Sequence, residues 1–157
     1  MTKVYVVRHA IAEERDPDRW PDDAGRPLTK DGEERFRAAA RGLRTLVPSV
    51  DVVLSSPYVR AWRTAEILHE EAGWPAPSRA AELEAWRAPK DAIPLVRGDS
   101  VALVGHEPML SRVLSLLLAG DDDTVHTELK KGGVVHVEHG VLRWYATPKL
   151  LRGLSLR

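Results

Sequence analysis

The chain has 157 residues, no cysteine, and 23 basic against 23 acidic side chains. That balance provides no overall field for nucleic acid or an anionic membrane, and the missing thiols exclude disulfides, thiolate catalysis and cysteine-based zinc sites. The length suits one domain over residues 1–157, and no signal-like start or apolar run of about 18 residues is present, so a cytoplasmic protein without a membrane segment is expected.

Val4-Tyr5-Val6-Val7 is a short apolar run without polar alternation, the pattern of a strand buried on both faces of a parallel sheet. It delivers Arg8, His9 and the small Ala10 at its C-terminal end, where open α/β sheets bind ligands. A cation beside a titratable nucleophile suits chemistry on an anion, although taken alone the pair could simply end a strand in solvent. Residues 11–28 carry Pro17, Pro21, Pro27 and many charges, and read as a long loop rimming that end.

Thr29 is then a helix N-cap with Asp31 in the first turn. Phe36, Ala40, Leu43 and Val47 recur at helical spacing until Pro48. Asp51-Val52-Val53-Leu54 is a second strand. Ser55-Ser56-Pro57 after it reads as an N-cap serine followed by a first-turn proline, opening a helix that carries Ala61, Ala65, Leu68 and Ala72 and stops at Gly73. The proline-punctuated residues 74–100 leave room for a short strand at 78–80 and a short helix at 90–96. Val101-Ala102-Leu103-Val104 is another buried-type strand, ending in Gly105-His106-Glu107-Pro108. Its helix bears Leu110, Val113, Leu114, Leu117 and Leu118, and stops at Gly120. Residues 133–138 and 141–146 form a hairpin through His139-Gly140, and the tail from Thr147 is short and basic. The order predicts a three-layer α/β/α architecture with a mostly parallel sheet and a C-terminal β-hairpin.

Three strand ends carry chemistry on what should be one rim: Arg8 and His9, Arg60, and His106. Arg60 lies in the opening turns of a helix, where a cation opposes the macrodipole unless an anion sits between them. Arg63 nearby has Glu66 and Glu70 as plausible surface partners. The helix after His106 offers free backbone N–H groups as a further place for a phosphate. His136 and His139 flank the hairpin turn, His69 and His126 read as surface residues, and no metal site is expected.

Arg8-His9-Ala10, Leu28-Thr29 with Gly32, the stretch Ser55-Ser56-Pro57-Tyr58-Val59-Arg60-Ala61 with Thr64-Ala65, and Gly105-His106-Glu107-Pro108 together resemble, in that order, the motifs of the histidine phosphatase superfamily. Lys131-Gly132 before the hairpin is similar to its short SixA-type branch, the phosphohistidine phosphatases. The resemblance runs from Val4 to about Trp144. It implies a phosphoglycerate mutase-like fold and a phosphatase that needs neither metal nor cofactor. His9 would be the nucleophile, forming a phosphohistidine that water hydrolyses. Arg8 and Arg60 would clamp the phosphate oxygens, and His106 would complete the cradle as a cation.

Two positions depart from the resemblance. Arg63 stands where the superfamily often has glutamine, and the glutamate used as general acid by many members has only Glu82 and Glu84 as candidates. A leaving imidazole needs a proton less than an alkoxide does, so phosphohistidine on a protein is the expected substrate. A small phosphate ester is the enzymatic alternative, and a non-catalytic phospho-ligand binding module the alternative of another class. With no long capping segment, the site is expected to be shallow and open, its partner protein touching Glu13, Glu14, Arg15 and Arg19.

Overall fold

The computed structural model describes residues 2–156. Six strands form one sheet: β1 (Lys3–Arg8), β2 (Val52–Ser55), β3 (Ser78–Arg79), β4 (Ser100–Gly105), β5 (Val134–Glu138) and β6 (Val141–Ala146), in the order β3-β2-β4-β1-β5-β6. β1 to β4 run parallel, whereas β5 pairs antiparallel with β1 and with β6. Central β1 has Val4 and Val6 packed into one core and Tyr5 and Val7 into the other, each at most 6% exposed. An apolar run without alternation is what burial on both faces requires.

The first core is closed by α1 (Lys30–Leu46), α2 (Val59–Ala72) and α4 (Pro148–Ser155), through Phe36, Leu43, Ala65, Leu68 and Leu151. The second is closed by α3 (Met109–Ala119) and a 3₁₀ segment at Pro89–Leu95, through Leu110, Val113, Leu114 and Ala92. This is the expected three-layer arrangement with its terminal hairpin. His139 and Gly140 both have positive φ, 55° and 70°, as a two-residue hairpin turn matched to strand twist demands. Among the described residues no helix is long and apolar enough to cross a membrane.

Two local expectations fail. Helix α2 begins at Val59 with Tyr58 at its cap, not at Ser56-Pro57, although the Ser56 hydroxyl does accept from Tyr58 N–H (3.2 Å) while it meets His106. The basic tail is a helix: Thr147 accepts from Leu150 N–H, and Pro148 occupies the first turn. Gly42 of α1 admits it, since a side chain there would collide with the Leu151 carbonyl.

Candidate active site

The parallel register carries the ends of β1, β2 and β4 to one rim. Arg8 lies opposite Gly105, and Ser55 opposite Val104. The chain is then pinned beyond the strands: His9 N–H donates to the Gly105 carbonyl (3.0 Å) and Ser56 N–H to the Val104 carbonyl (3.0 Å). Ala10 N–H donates to Thr64 Oγ1 (3.0 Å), whose hydroxyl donates to the Arg60 carbonyl (2.8 Å). That bridge ties the end of β1 to the first turns of α2. The His9 and His106 rings consequently stand 5.3 Å apart, centroid to centroid.

His9 Nδ1 lies 2.7 Å from the Ala10 carbonyl. A carbonyl can only accept, so Nδ1 bears the hydrogen and Nε2 keeps its lone pair. Burial pushes the ring down to about 3; the bond to Ala10 works against this, and the positive charges of Arg60, Arg8 and Arg26 add to it. The ring is therefore neutral near pH 7, the state a nitrogen nucleophile needs.

His106 Nε2 lies 2.9 Å from Ser56 Oγ, which also accepts from Tyr58 N–H (3.2 Å). If Nε2 held the hydrogen, the Ser56 hydroxyl proton would have no acceptor. The satisfied arrangement has Ser56 donating to Nε2, which leaves the hydrogen on Nδ1. Burial first, then the neighbouring charge of His9 and Arg60, lowers the His106 ring to about 2, with Asp23 acting in the opposite sense. The expectation of a cation at His106 concerns the phosphate-bound transition state. The ring is neutral, and a bound anion would push its proton affinity upward.

Arg8 donates through Nη1 to the Leu129 carbonyl (2.7 Å). Arg60 donates through Nη1 to the Asp23 carbonyl (2.7 Å) and through Nη2 to the Asp23 carboxylate (3.0 Å). Five buried nitrogens are left without a hydrogen-bond partner among the described residues, and three of them belong to the predicted site residues: Arg8 Nε, Arg60 Nε and His106 Nδ1, the others being Trp20 Nε1 and His136 Nε2. Buried donors are otherwise almost always paired.

The rim loop contributes more than bulk. Asp23 and Arg26 come from it, and sequence reasoning missed both. Asp23 accepts from Arg26 Nε (2.8 Å) as well as from Arg60, and the Arg26 hydrogen bond holds its carboxyl below the usual carboxylate range. It supplies the anion that a cation at the start of α2 calls for. The signal for Arg26 was its place two residues before Leu28-Thr29. For Asp23, inside an irregular loop, no periodicity could have found it.

Other expectations shift. Glu84 accepts from Trp86 Nε1 (2.7 Å) and, after burial, helps to raise the phenol of Tyr58, whose ring stands edge-on 4.9 Å from His106; Glu82 sits in a 3₁₀ turn, and neither carboxylate is hydrogen-bonded to His9 or His106 among the described residues. Arg63 binds Glu33 (2.9 Å), Glu70 (3.2 Å) and Glu66 (3.5 Å), a network between α1 and α2. Two of the N–H groups after His106 are taken: Leu110 N–H donates to the His106 carbonyl (2.9 Å), and Glu107 folds back to accept from Ser111 N–H (2.8 Å) and from its hydroxyl. The same carboxylate accepts from Leu129 N–H (3.1 Å), so it steadies the segment whose carbonyl holds Arg8. The side chains of His9, Arg60 and His106 are 6%, 3% and 2% exposed, and Asp23 holds the loop against Arg60. Of the rim charges, Arg15 reaches within 4.0 Å of Asp23 and Arg19 lies over the Trp20 ring at 5.0 Å.

Comparison with known proteins gives a consistent picture. The profile of the histidine phosphatase superfamily, branch 1, matches residues 4–88. An uncharacterised protein of the cyanobacterium Picosynechococcus is 32% identical over 154 residues, covering 90% of this chain and 87% of its own. Among solved structures, one assigned as the phosphohistidine phosphatase SixA of Agrobacterium tumefaciens superposes with a TM-score of 0.80 at 22% identity, covering 94% of this chain and 99% of that one. A phosphoserine phosphatase of Entamoeba histolytica gives 0.70 at 17% identity, with 96% and 100% covered. Likeness at those identities concerns the fold.

Proposed function

The chain belongs to the histidine phosphatase superfamily and is by that membership a phosphatase; from this premise we propose that it hydrolyses phosphohistidine on a protein, through a covalent phosphohistidine at its own His9. The observation that carries the reading is the trio of buried, partnerless nitrogens on Arg8, Arg60 and His106 around a neutral ring with its Nε2 lone pair free. Positioning and charge stabilisation are most of what an enzyme contributes to phosphoryl transfer.

In the first step His9 Nε2 forms a bond to phosphorus as the phosphorus–nitrogen bond of the substrate breaks. The departing imidazole takes a proton from solvent. Arg8 and Arg60 hold the equatorial oxygens, and His106 donates from Nδ1. In the second step water forms the new phosphorus–oxygen bond, and the bond to His9 breaks. Phosphate leaves and the neutral ring returns. Arg26 and Asp23 keep Arg60 in place and set the charge around it.

No carboxylate is hydrogen-bonded to either ring among the described residues, and the nearby Glu84, beside Tyr58, is engaged by Trp86, which favours a leaving group that needs no strong acid. Phosphohistidine meets that condition better than a phosphate ester does. The test is a panel of phosphohistidine proteins and small phosphate monoesters compared by kcat/KM. The phosphoramidates should lead by at least about tenfold, a difference of about 1.4 kcal/mol in barrier. A monoester hydrolysed faster than every phosphohistidine protein would overturn the assignment.

A further inference from the structure

A cavity of about 760 Å³ opens beside Arg8, walled by α1, α4 and the segment before β5. Its lining includes Arg8, Arg35, Lys130, Lys131, Lys149 and Arg152, against a single carboxylate, Glu128. The whole chain has equal numbers of basic and acidic residues, so this concentration of one sign is local. Arg35 is paired with Asp31 at 3.0 Å. Lys130, Lys131, Lys149 and Arg152 have no carboxylate within ion-pair distance among the described residues. Like charges gathered in one concavity repel, and an anionic ligand relieves that repulsion while being drawn in.

Arg8 lines this cavity and directly precedes His9 in the chain, so the cavity adjoins the phosphate cradle. A ligand with its phosphoryl group at His9 places what adjoins that group among these cations. Most of the unpaired cations are lysines, exposed and on flexible stems. Rigid bidentate capture of a second phosphate relies on arginine forks. Mobile ammonium groups around an open mouth instead suit several carboxylates spaced along a chain.

We propose that the cavity is the docking subsite for an acidic segment of the phosphorylated protein, next to the phosphohistidine that reaches His9. This rests on the phosphohistidine reading above and adds to it the charge character of the partner. The cations on the α4 side select the substrate, whereas the opposite rim with Glu13 and Glu14 does not.

The test uses two phosphohistidine peptides of identical core, one followed by four glutamates and the other by four glutamines. At low salt the wild-type protein should favour the acidic peptide by roughly tenfold in kcat/KM, as a few partly exposed ion pairs give. The preference should fall as salt rises. Substituting Lys131→Gln, Lys149→Gln and Arg152→Gln together should bring it close to unity, with Lys149→Gln alone giving part of the loss. Arg112→Gln, which removes an exposed charge elsewhere, should leave it intact. Equal kcat/KM for the two peptides, or a preference that survives the triple substitution, would overturn the proposal.

Fluorescence anisotropy of a labelled, unphosphorylated glutamate-rich peptide separates this inference from the catalytic reading. Binding that is lost in the triple variant, with neither phosphohistidine peptide turned over, would sustain the subsite and refute the phosphatase substrate. Displacement of the labelled peptide by inorganic tripolyphosphate at concentrations well below those of the acidic peptide itself would instead identify a small polyanion as the occupant, and would overturn the proposal.

Discussion

Ser56 is the residue on which the state of His106 turns, and Ser56→Ala is the most informative single change. The side chain is fully buried, and its oxygen serves two partners, His106 Nε2 at 2.9 Å and Tyr58 N–H at 3.2 Å. Deleting it orphans both, at about 1–3 kcal/mol for each buried polar group. The catalytic effect is separate. Without the serine hydroxyl, Nε2 no longer has a donor that reserves the hydrogen for Nδ1, so the two neutral tautomers mix and the ring is free to turn. An oriented donor lost from a site that stabilises developing charge typically costs about 10²–10³ in kcat. Because the imidazole itself remains, a fall of roughly 10–100-fold is expected, with KM changing less. The assay is initial-rate hydrolysis of a phosphohistidine protein, run beside thermal melting to confirm that the variant is folded. Nitrogen NMR of the His106 ring gives a readout that mere destabilisation does not move. The wild type should show protonated Nδ1 and bare Nε2, and the variant a mixture. A folded Ser56→Ala protein with kcat within about twofold of wild type, or a wild-type ring protonated on Nε2, would refute this reasoning.

Asp23→Asn should lower the concentration of inorganic phosphate needed for inhibition several-fold, because the carboxylate that competes for Arg60 and Arg26 loses its charge; weaker phosphate inhibition would contradict its placement. Glu82→Gln and Glu84→Gln should each leave kcat on phosphohistidine within about twofold, since a leaving imidazole needs no strong acid, and a 100-fold loss in either would restore a general acid. Stability should fall steeply in acid. Both rings sit below their unfolded value of about 6.5, so the unfolded chain binds more protons between that value and about 3 for His9 or about 2 for His106. The contribution is complete above pH 6.5 and is lost as pH falls, by up to about 1.4 kcal/mol per pH unit for each ring. Melting temperatures from pH 7 to 4 should show this, with a gentler slope in His106→Gln and in excess phosphate. An unchanged slope in both would mean that the rings are not buried neutral.

Much of this fold could be read before the structure because its core strands are apolar on both faces. Val4 to Val7 and Val101 to Val104 had no polar alternation to misplace, and Thr29, Gly73 and Gly120 marked helix ends where they lie. Helix α4 was harder. Its stretch is barely two turns, and it is held through Leu151 against Gly42, a long-range contact that no local pattern announces. Its capping threonine and proline were nevertheless in view.

The histidines and arginines at the strand ends were legible for a topological reason, since parallel strands deliver their C-terminal ends to one rim. What surrounds them was not. Asp23 reaches Arg60, and Arg26 reaches Asp23, from an irregular loop, and Ser56 read only as a helix cap because capping and ring-orienting serines share one sequence signature. The charge of His106 depends on how deeply it is buried among other cations, and burial is a property of the packed molecule. Arg63 was read correctly as a surface partner of Glu66 and Glu70, although Glu33 on another helix completes its network.

The covalent intermediate is the centre of the account. Brief reaction with a phosphohistidine protein, quenching in alkali and peptide mapping by mass spectrometry should place one phosphoryl group on His9. That label should be stable in base, labile in acid and absent from His9→Ala, which should also have lost turnover. Phosphate found on a serine or an aspartate, or hydrolysis that persists in His9→Ala, would contradict it.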